Sequence, residues 1–150
     1  MAHTFISQLL HFVFSTAERR RVIAPDLQPR LWSYMGGIAR ENKMKALCVG
    51  GTEDHAHLLL SLPATISIAK AMQLIKGGSS KWVHDNFPDK HLFAWQEGYG
   101  AFSLGISDVD RTVNYIKTQK EHHGKMDFKQ ELIAFLQRHK IEYDERYIWN

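Results

Sequence analysis

The stretch DHAHLLLSLP, residues 54–63, constrains the fold of this chain more than any other. Side chains alternate across a β-strand, so the even-numbered residues from Ala56 to Leu62 share one continuously apolar face. His55 and His57 then share the opposite face. Since the apolar face belongs against helices, we expect the two imidazoles to project from an open face of the sheet, close enough to bind one metal ion together.

The patterns on either side of this strand predict the order strand, helix, strand, strand, helix, strand, then two further helices. Strands are expected over residues 5–15, 45–52, 55–62 and 98–107, and helix start signals occur at Asp26, near Ile68, at Ser107 and at Asp127. The second helix should stop or kink at Gly77 and Gly78, and the third should run to Gly124. Up to the fourth strand this order matches the ferredoxin-like split βαβ arrangement. The expected class is therefore α+β, an antiparallel sheet with additional C-terminal helices.

Length and composition indicate one ordinary domain over residues 1–150. No apolar run approaches the roughly 18 residues needed to span a bilayer, so no membrane location is expected. The N-terminus has neither a leading Lys or Arg cluster nor a small-residue cleavage site, which favours a cytoplasmic protein. Cys48 is the only cysteine, so an internal disulfide and a Cys-rich zinc site are excluded. The net charge of +3 is compatible with a polyanionic partner without demonstrating one.

The third predicted helix carries Tyr115 and Gln119 on one face. At i and i+4 they lie within about 40° of each other around the helix axis. The apolar face through Val113 and Ile116 points away from them, and His122 lies on their polar side. Helical spacing alone leaves open a simpler interpretation, in which Tyr115 is an amphipathic tyrosine packed at an interface.

Several segments together resemble one known family. DHAHLLLSLP, LIKGGSSKW, WQEGYGAFSLGISD, VNYIKTQKEHHGK and YDERYIW occur in the order and at the spacing of the HUH single-tyrosine transposases. This is the group of the bacterial two-hundred series of insertion sequences and the REP-associated tyrosine transposases. The resemblance covers almost the whole chain.

The resemblance implies a role for individual residues. His55 and His57 match the HUH pair, Tyr115 matches the catalytic tyrosine on its helix, and Gln119 matches the polar third metal ligand. Two imidazoles and one amide oxygen suit Mg²⁺ or Mn²⁺ as cofactor, although zinc would also bind this set. Asp54 and His122 are weaker candidates for supporting roles beside the ligands. The chain departs from the family at Ala56, where a bulky apolar residue is usual, and this affects packing more than chemistry.

The implied activity is cleavage and rejoining of single-stranded DNA through a 5′-phosphotyrosine intermediate, near a DNA hairpin. Weaker candidates for DNA contacts are Arg19, Arg20, Arg21, Lys76, Gly77, Gly78 and Lys81. The resemblance also implies a homodimer, in which the tyrosine of one subunit can act in trans on the histidine pair of the other. A monomer that uses its own tyrosine stays open.

Three other functions remain open. A relaxase or replication initiator would use the same chemistry but usually needs further domains. A domesticated or nonenzymatic protein would bind single-stranded DNA hairpins without turnover. A structural metal protein would unfold when its metal is removed.

Overall fold

The computed structural model describes residues 3–122, 126–146 and 148. It contains a four-stranded sheet and helices on both of its faces. The elements are β1 (Leu9–Ser15), α1 (Gln28–Glu41), β2 (Lys45–Gly51), β3 (His55–Ser61), α2 (Ile68–Asn86), β4 (Gly100–Leu104), α3 (Val109–Lys117), α4 (Gln119–His122) and α5 (Phe128–Arg138). Single 3₁₀ turns occur at Ala17–Arg19, Pro88–Lys90 and Ile106–Asp108.

The strand order is β2-β3-β1-β4, and every neighbouring pair is antiparallel. This is the order that a split βαβ arrangement produces, because β3 inserts between β1 and β2. The predicted α+β class, the hairpin of β2 with β3 and the ferredoxin-like topology are therefore confirmed. The register pairs Val13 with His57 and Ser15 with His55, so β1 lies directly beside the histidine strand.

One face of the sheet packs against α1 and α2, as the apolar face of β3 predicts. Leu58 and Leu60 are fully buried there, together with Phe12 and Phe14 of β1. Burying each such side chain stabilises the fold by about 1.5–3 kcal/mol relative to leaving it in water. This core fixes the direction of β3 and so determines that both of its histidines point to the other face.

The other face is not open, and that expectation was wrong. Val13 and Phe102 of the sheet form a second buried cluster with Phe128, Leu132 and Phe135 of α5. The apolar stripe of α5 needs a surface to cover, and the histidine face of the sheet provides one. The two imidazoles are consequently buried beneath helices of their own chain.

Three details of the predicted helices also differ. Asp26 does not cap α1, which begins after Leu27 with Pro29 in its first turn, and Ser107 does not cap α3. The second helix continues without interruption through Gly77 and Gly78. At Gly78 an added Cβ would lie 2.9 Å from Cδ1 of Ile38, so the glycine allows α2 to approach α1 closely.

The third helix ends earlier than expected, at Lys117, and α4 begins at Gln119 after a residue with non-helical dihedrals, Thr118. Gly124, where the predicted helix should end, lies outside the described residues. The helix α5 begins at the predicted capping box, in which the Asp127 side chain accepts from the Gln130 N–H and the Gln130 side chain accepts from the Asp127 N–H.

Candidate metal and nucleophile site

His55 is held from its outer side by the turn that precedes β3. Its Nδ1 lies 2.7 Å from Oδ1 of Asp54 and 2.9 Å from Oγ1 of Thr52. A carboxylate only accepts hydrogen bonds, so Nδ1 carries the proton of this pair and donates it to Asp54. The Nε2 atom therefore faces the interior of the protein. This carboxylate–histidine pairing is the arrangement that orients histidine ligands in metal sites.

His57 is held in a similar way by a second histidine. Its Nδ1 lies 2.7 Å from Nε2 of His11 on the neighbouring strand β1, and both rings are buried. Burial, followed by the proximity of His57, lowers the pKa of His11 to about 3, so His11 is neutral at physiological pH. The remaining nitrogen of His57, Nε2, points to the same interior space as Nε2 of His55.

Gln119, the first residue of α4, reaches this space from the helical side. Its Oε1 lies 3.0 Å from Nε2 of His55, while its Nε2 donates to the carbonyl of Tyr115 at 3.1 Å. The second bond fixes the orientation of the amide, so that an oxygen faces the histidine. Tyr115 and Gln119 are thus in contact, as their i, i+4 spacing predicts, although the helix is interrupted at Thr118.

Glu131 is a residue of this cluster that the sequence reasoning missed. It is buried on α5, and its Oε1 lies 3.0 Å from Nε2 of His57 and 3.6 Å from Nε2 of His55. A carboxylate on the apolar stripe that includes Phe128 and Leu132 is costly to bury unless it has charged partners. The sequence signal that could have identified Glu131 is the presence of a charged residue at a position of the apolar stripe of this helix.

Tyr115 lies at the edge of the same cluster. Its hydroxyl donates a hydrogen bond to Oε2 of Glu131, and its ring meets the His57 ring edge-on at 5.8 Å between centroids. Burial, and then the negative charge of Glu131 and its hydrogen bond, raise the pKa of Tyr115 well above the usual value of about 10. The phenol is therefore protonated at neutral pH, and its O–H donates to a carboxylate oxygen that is placed to accept the proton.

The residues fit a divalent metal ion. One ligand atom each from His55, His57 and Glu131 lie within 4.8 Å of one another. Nδ1 of His55 carries the ring proton and donates it to Asp54, so Nε2 presents a lone pair to the Gln119 oxygen. Both of these atoms are acceptors, and a cation bound between them would make their contact favourable. Neighbouring ligands of an octahedral ion at about 2.1 Å lie about 3 Å apart. Nε2 of His55 and Oε1 of Gln119 have this separation, as do Nε2 of His57 and Oε1 of Glu131, whereas Nε2 of His55 and Oε1 of Glu131 are 3.6 Å apart. The donor set of imidazole nitrogens and carboxylate and amide oxygens suits a hard or borderline divalent ion.

The predicted DNA contacts do not form one cluster in the structure. Backbone hydrogen bonds join Thr16 to Asp54 and Ile23 to Glu53, and they bring the turn that carries Arg19, Arg20 and Arg21 beside the turn before His55. In this turn the Arg20 side chain pairs with Glu18 at 2.7 Å.

The candidates on α2 have separate surroundings. Lys76 donates to the carbonyls of Gln96, Glu97 and Gly98 at 2.6, 3.1 and 2.9 Å, so its ammonium already supports a loop of the protein. Lys81 pairs with Asp85 at the surface. His122 ends α4, and its side chain lies outside the described part of the structure.

Most of this chain matches known proteins. The family described as IS200-like transposases matches residues 4–119. The transposases for insertion sequence element IS200 of Salmonella typhimurium and Salmonella typhi are each 26% identical over 126 residues, which cover 81% of this chain and 82% of the relative. Glu131 lies beyond the matched segment.

Two solved structures have a similar fold. A putative transposase from Deinococcus radiodurans has a TM-score of 0.63 at 19% identity, covering 79% of this chain and 96% of that one. A REP-associated tyrosine transposase bound to a REP hairpin has a TM-score of 0.60 at 16% identity, covering 84% of this chain and 74% of that one. Among the described residues, no helix is long and apolar enough to cross a membrane.

Proposed function

This chain belongs to the IS200-like transposase family, and we propose that it cleaves and rejoins single-stranded DNA through a covalent bond between Tyr115 and a 5′ phosphate. One observation carries the proposal. The Tyr115 hydroxyl donates a hydrogen bond to the carboxylate that also contacts His57, so the proposed nucleophile lies at the edge of the buried cluster of proposed metal ligands. We further propose that residues 1–150 act as a single domain.

In this proposal Tyr115 supplies the attacking oxygen, and Glu131 both holds the hydroxyl and accepts its proton as the bond to phosphorus forms. As that bond forms, the bond between phosphorus and the 3′ oxygen of the leaving strand breaks, and this oxygen takes up a proton and becomes a free 3′-hydroxyl. That hydroxyl can later attack the phosphotyrosine and rejoin a strand, so the energy of the phosphodiester bond is kept and no nucleotide cofactor is needed.

The residues that would hold the metal ion are His55, His57, Gln119 and Glu131, and Mg²⁺ or Mn²⁺ is the proposed cofactor. When bound, the ion would withdraw charge from a phosphate oxygen as a Lewis acid. Asp54 and His11 act on the outer nitrogens of the two histidines and keep Nε2 of each directed inward.

The proposed substrate is single-stranded DNA with a hairpin near the cleavage position. Support comes from the solved protein of similar fold, which is bound to a REP hairpin. The turn of Arg19, Arg20 and Arg21 is the best placed of the predicted phosphate contacts, since it packs beside the turn that holds His55. The homodimer with an exchanged tyrosine stays a prediction; in the single chain, Tyr115 contacts its own Glu131 and His57.

The test is a covalent adduct assay. Labelled single-stranded hairpin oligonucleotides are mixed with the protein and Mg²⁺ or Mn²⁺ and run on a denaturing gel. We expect an adduct in wild type that is absent in Tyr115→Phe and retained in Tyr34→Phe, since Tyr34 stacks on Trp82 away from the site. DNA binding without any adduct across varied hairpins would instead favour the nonenzymatic hairpin-binding protein.

A further inference from the structure

A cavity of about 540 Å³ lies between β4, α3 and α5, and Tyr115 and Glu131 are part of its lining. The metal-binding side chains are themselves buried, whereas the cavity also includes exposed residues such as Arg111 and Arg138 at its rim. It therefore connects solvent with the tyrosine. Its volume falls within the range of about 300–1,000 Å³ that is typical of small-ligand sites.

One wall of the cavity is aromatic. The rings of Phe102 and Phe135 stack with centroids 5.2 Å apart and planes at 21°, and both belong to the second buried cluster. The His139 ring packs against Phe102 at 4.9 Å and 30° and is exposed, so of these three rings it is the one that a ligand can reach. Flat aromatic surfaces bind nucleic-acid bases by stacking, worth about 1–3 kcal/mol per base, with little dependence on which base is bound.

Two arginines lie at the rim of the cavity. The Arg138 guanidinium lies 5.6 Å from the centroid of the Phe135 ring, so it stands beside the aromatic wall. Arg111 lies across the cavity on α3 and pairs with Asp108. Arginine forms strong, charge-assisted hydrogen bonds with phosphate oxygens. The exposed His139 ring, the two arginines and the Tyr115 hydroxyl together match a phosphorylated nucleoside better than an apolar ligand.

We propose that this cavity binds the nucleotide next to the scissile phosphate of single-stranded DNA. The base stacks on the exposed His139 ring, and the phosphate lies toward Tyr115. The assignment rests on the proposed function for the identity of the reacting phosphate, but the binding of a nucleotide in the cavity can be measured without any cleavage.

The first experiment titrates thymidine 5′-monophosphate and, separately, inorganic phosphate into the protein by isothermal titration calorimetry. Ala134 lines the cavity and is exposed, so Ala134→Trp fills the space without removing a contact of the site. The matched control is Gln137→Trp, which adds the same bulk on α5 outside the cavity lining. We expect the nucleotide to bind wild type and Gln137→Trp equally, and Ala134→Trp at least about tenfold more weakly.

His139→Ala provides a second variant at an exposed position, and it should weaken nucleotide binding severalfold while leaving the circular dichroism spectrum unchanged. Three results would each overturn the assignment: no binding of the nucleotide to wild type, equal binding by Ala134→Trp, or inorganic phosphate binding as tightly as the nucleotide. None of these readouts depends on the covalent adduct. A failure of the tyrosine chemistry is therefore distinguishable from a failure of this site.

Discussion

Oε1 of Glu131 and Nε2 of His57 lie 3.0 Å apart, although 74 positions separate the two residues in the sequence. This contact joins the last helix of the chain to the histidine strand. Because the other carboxylate oxygen accepts the hydrogen bond of Tyr115, one side chain links the predicted nucleophile to the predicted metal-binding histidines.

We expect Glu131→Gln to weaken Mn²⁺ binding by about 10–100-fold and to reduce adduct formation at least as much. The substitution keeps the size of the side chain but removes the negative charge from the donor set. Calorimetric titration with Mn²⁺ measures the first effect. Glu142→Gln removes the same charge from an exposed position and serves as the control. Unchanged Mn²⁺ affinity in Glu131→Gln would show that the carboxylate is not a ligand.

Each of His55→Ala and His57→Ala should abolish the adduct while the chain stays folded. The fold depends mainly on the core between the sheet and the helices α1 and α2, to which neither imidazole belongs. Adduct yield and far-ultraviolet circular dichroism are measured together, with His91→Ala, at an exposed histidine, as the matched control. Wild-type yield in both variants would exclude the metal site.

The histidine face and the tyrosine face could be predicted because both follow from local periodicity. A period of two places His55 and His57 together, and a period of 3.6 places Tyr115 and Gln119 together. Glu131 and His11 could not be assigned in this way. Their roles depend on which helix covers the sheet and on the register of β1 with β3, and these are long-range pairings. The expectation of an open face failed for the same reason.

Gly50→Ala should destabilise the protein by about 1–3 kcal/mol and lower the adduct yield. An added Cβ would lie 2.9 Å from Cγ2 and 3.1 Å from the carbonyl oxygen of Ile116, so the helix that carries Tyr115 would have to move away from β2. Gly77→Ala is the matched substitution. Its Cβ would meet nothing within 4 Å, and alanine should stabilise this helical position by about 0.5–1 kcal/mol. Urea unfolding measures both, and equal effects of the two substitutions would contradict this account of the packing.

The stability of the protein should increase with pH above about 8 because of Lys76. Burial lowers the pKa of its ammonium to about 8, against the opposing charge of Glu97, whereas an unfolded lysine titrates near 10.4. Between these values the unfolded chain binds more protons than the folded one, so the free energy of unfolding rises with pH. The rise should be small, since Lys76 is only partly buried. Urea unfolding midpoints of wild type and Lys76→Met at several pH values isolate the contribution of Lys76 to stability. Parallel pH profiles for the two proteins would contradict the lowered pKa of Lys76.

Removal of the metal should abolish formation of the covalent adduct without unfolding the protein. The two apolar clusters on either side of the sheet contain no metal-binding residue, and together they bury most of the large apolar side chains. An ion that binds only the folded state should nevertheless raise the melting temperature in proportion to the logarithm of its concentration above its dissociation constant. We therefore expect EDTA to abolish the adduct and to leave a cooperative thermal transition, and Mn²⁺ to restore the adduct and raise the transition temperature. Loss of the cooperative transition in EDTA would mean that the metal is structural, because only a fold that depends on the ion disappears with it.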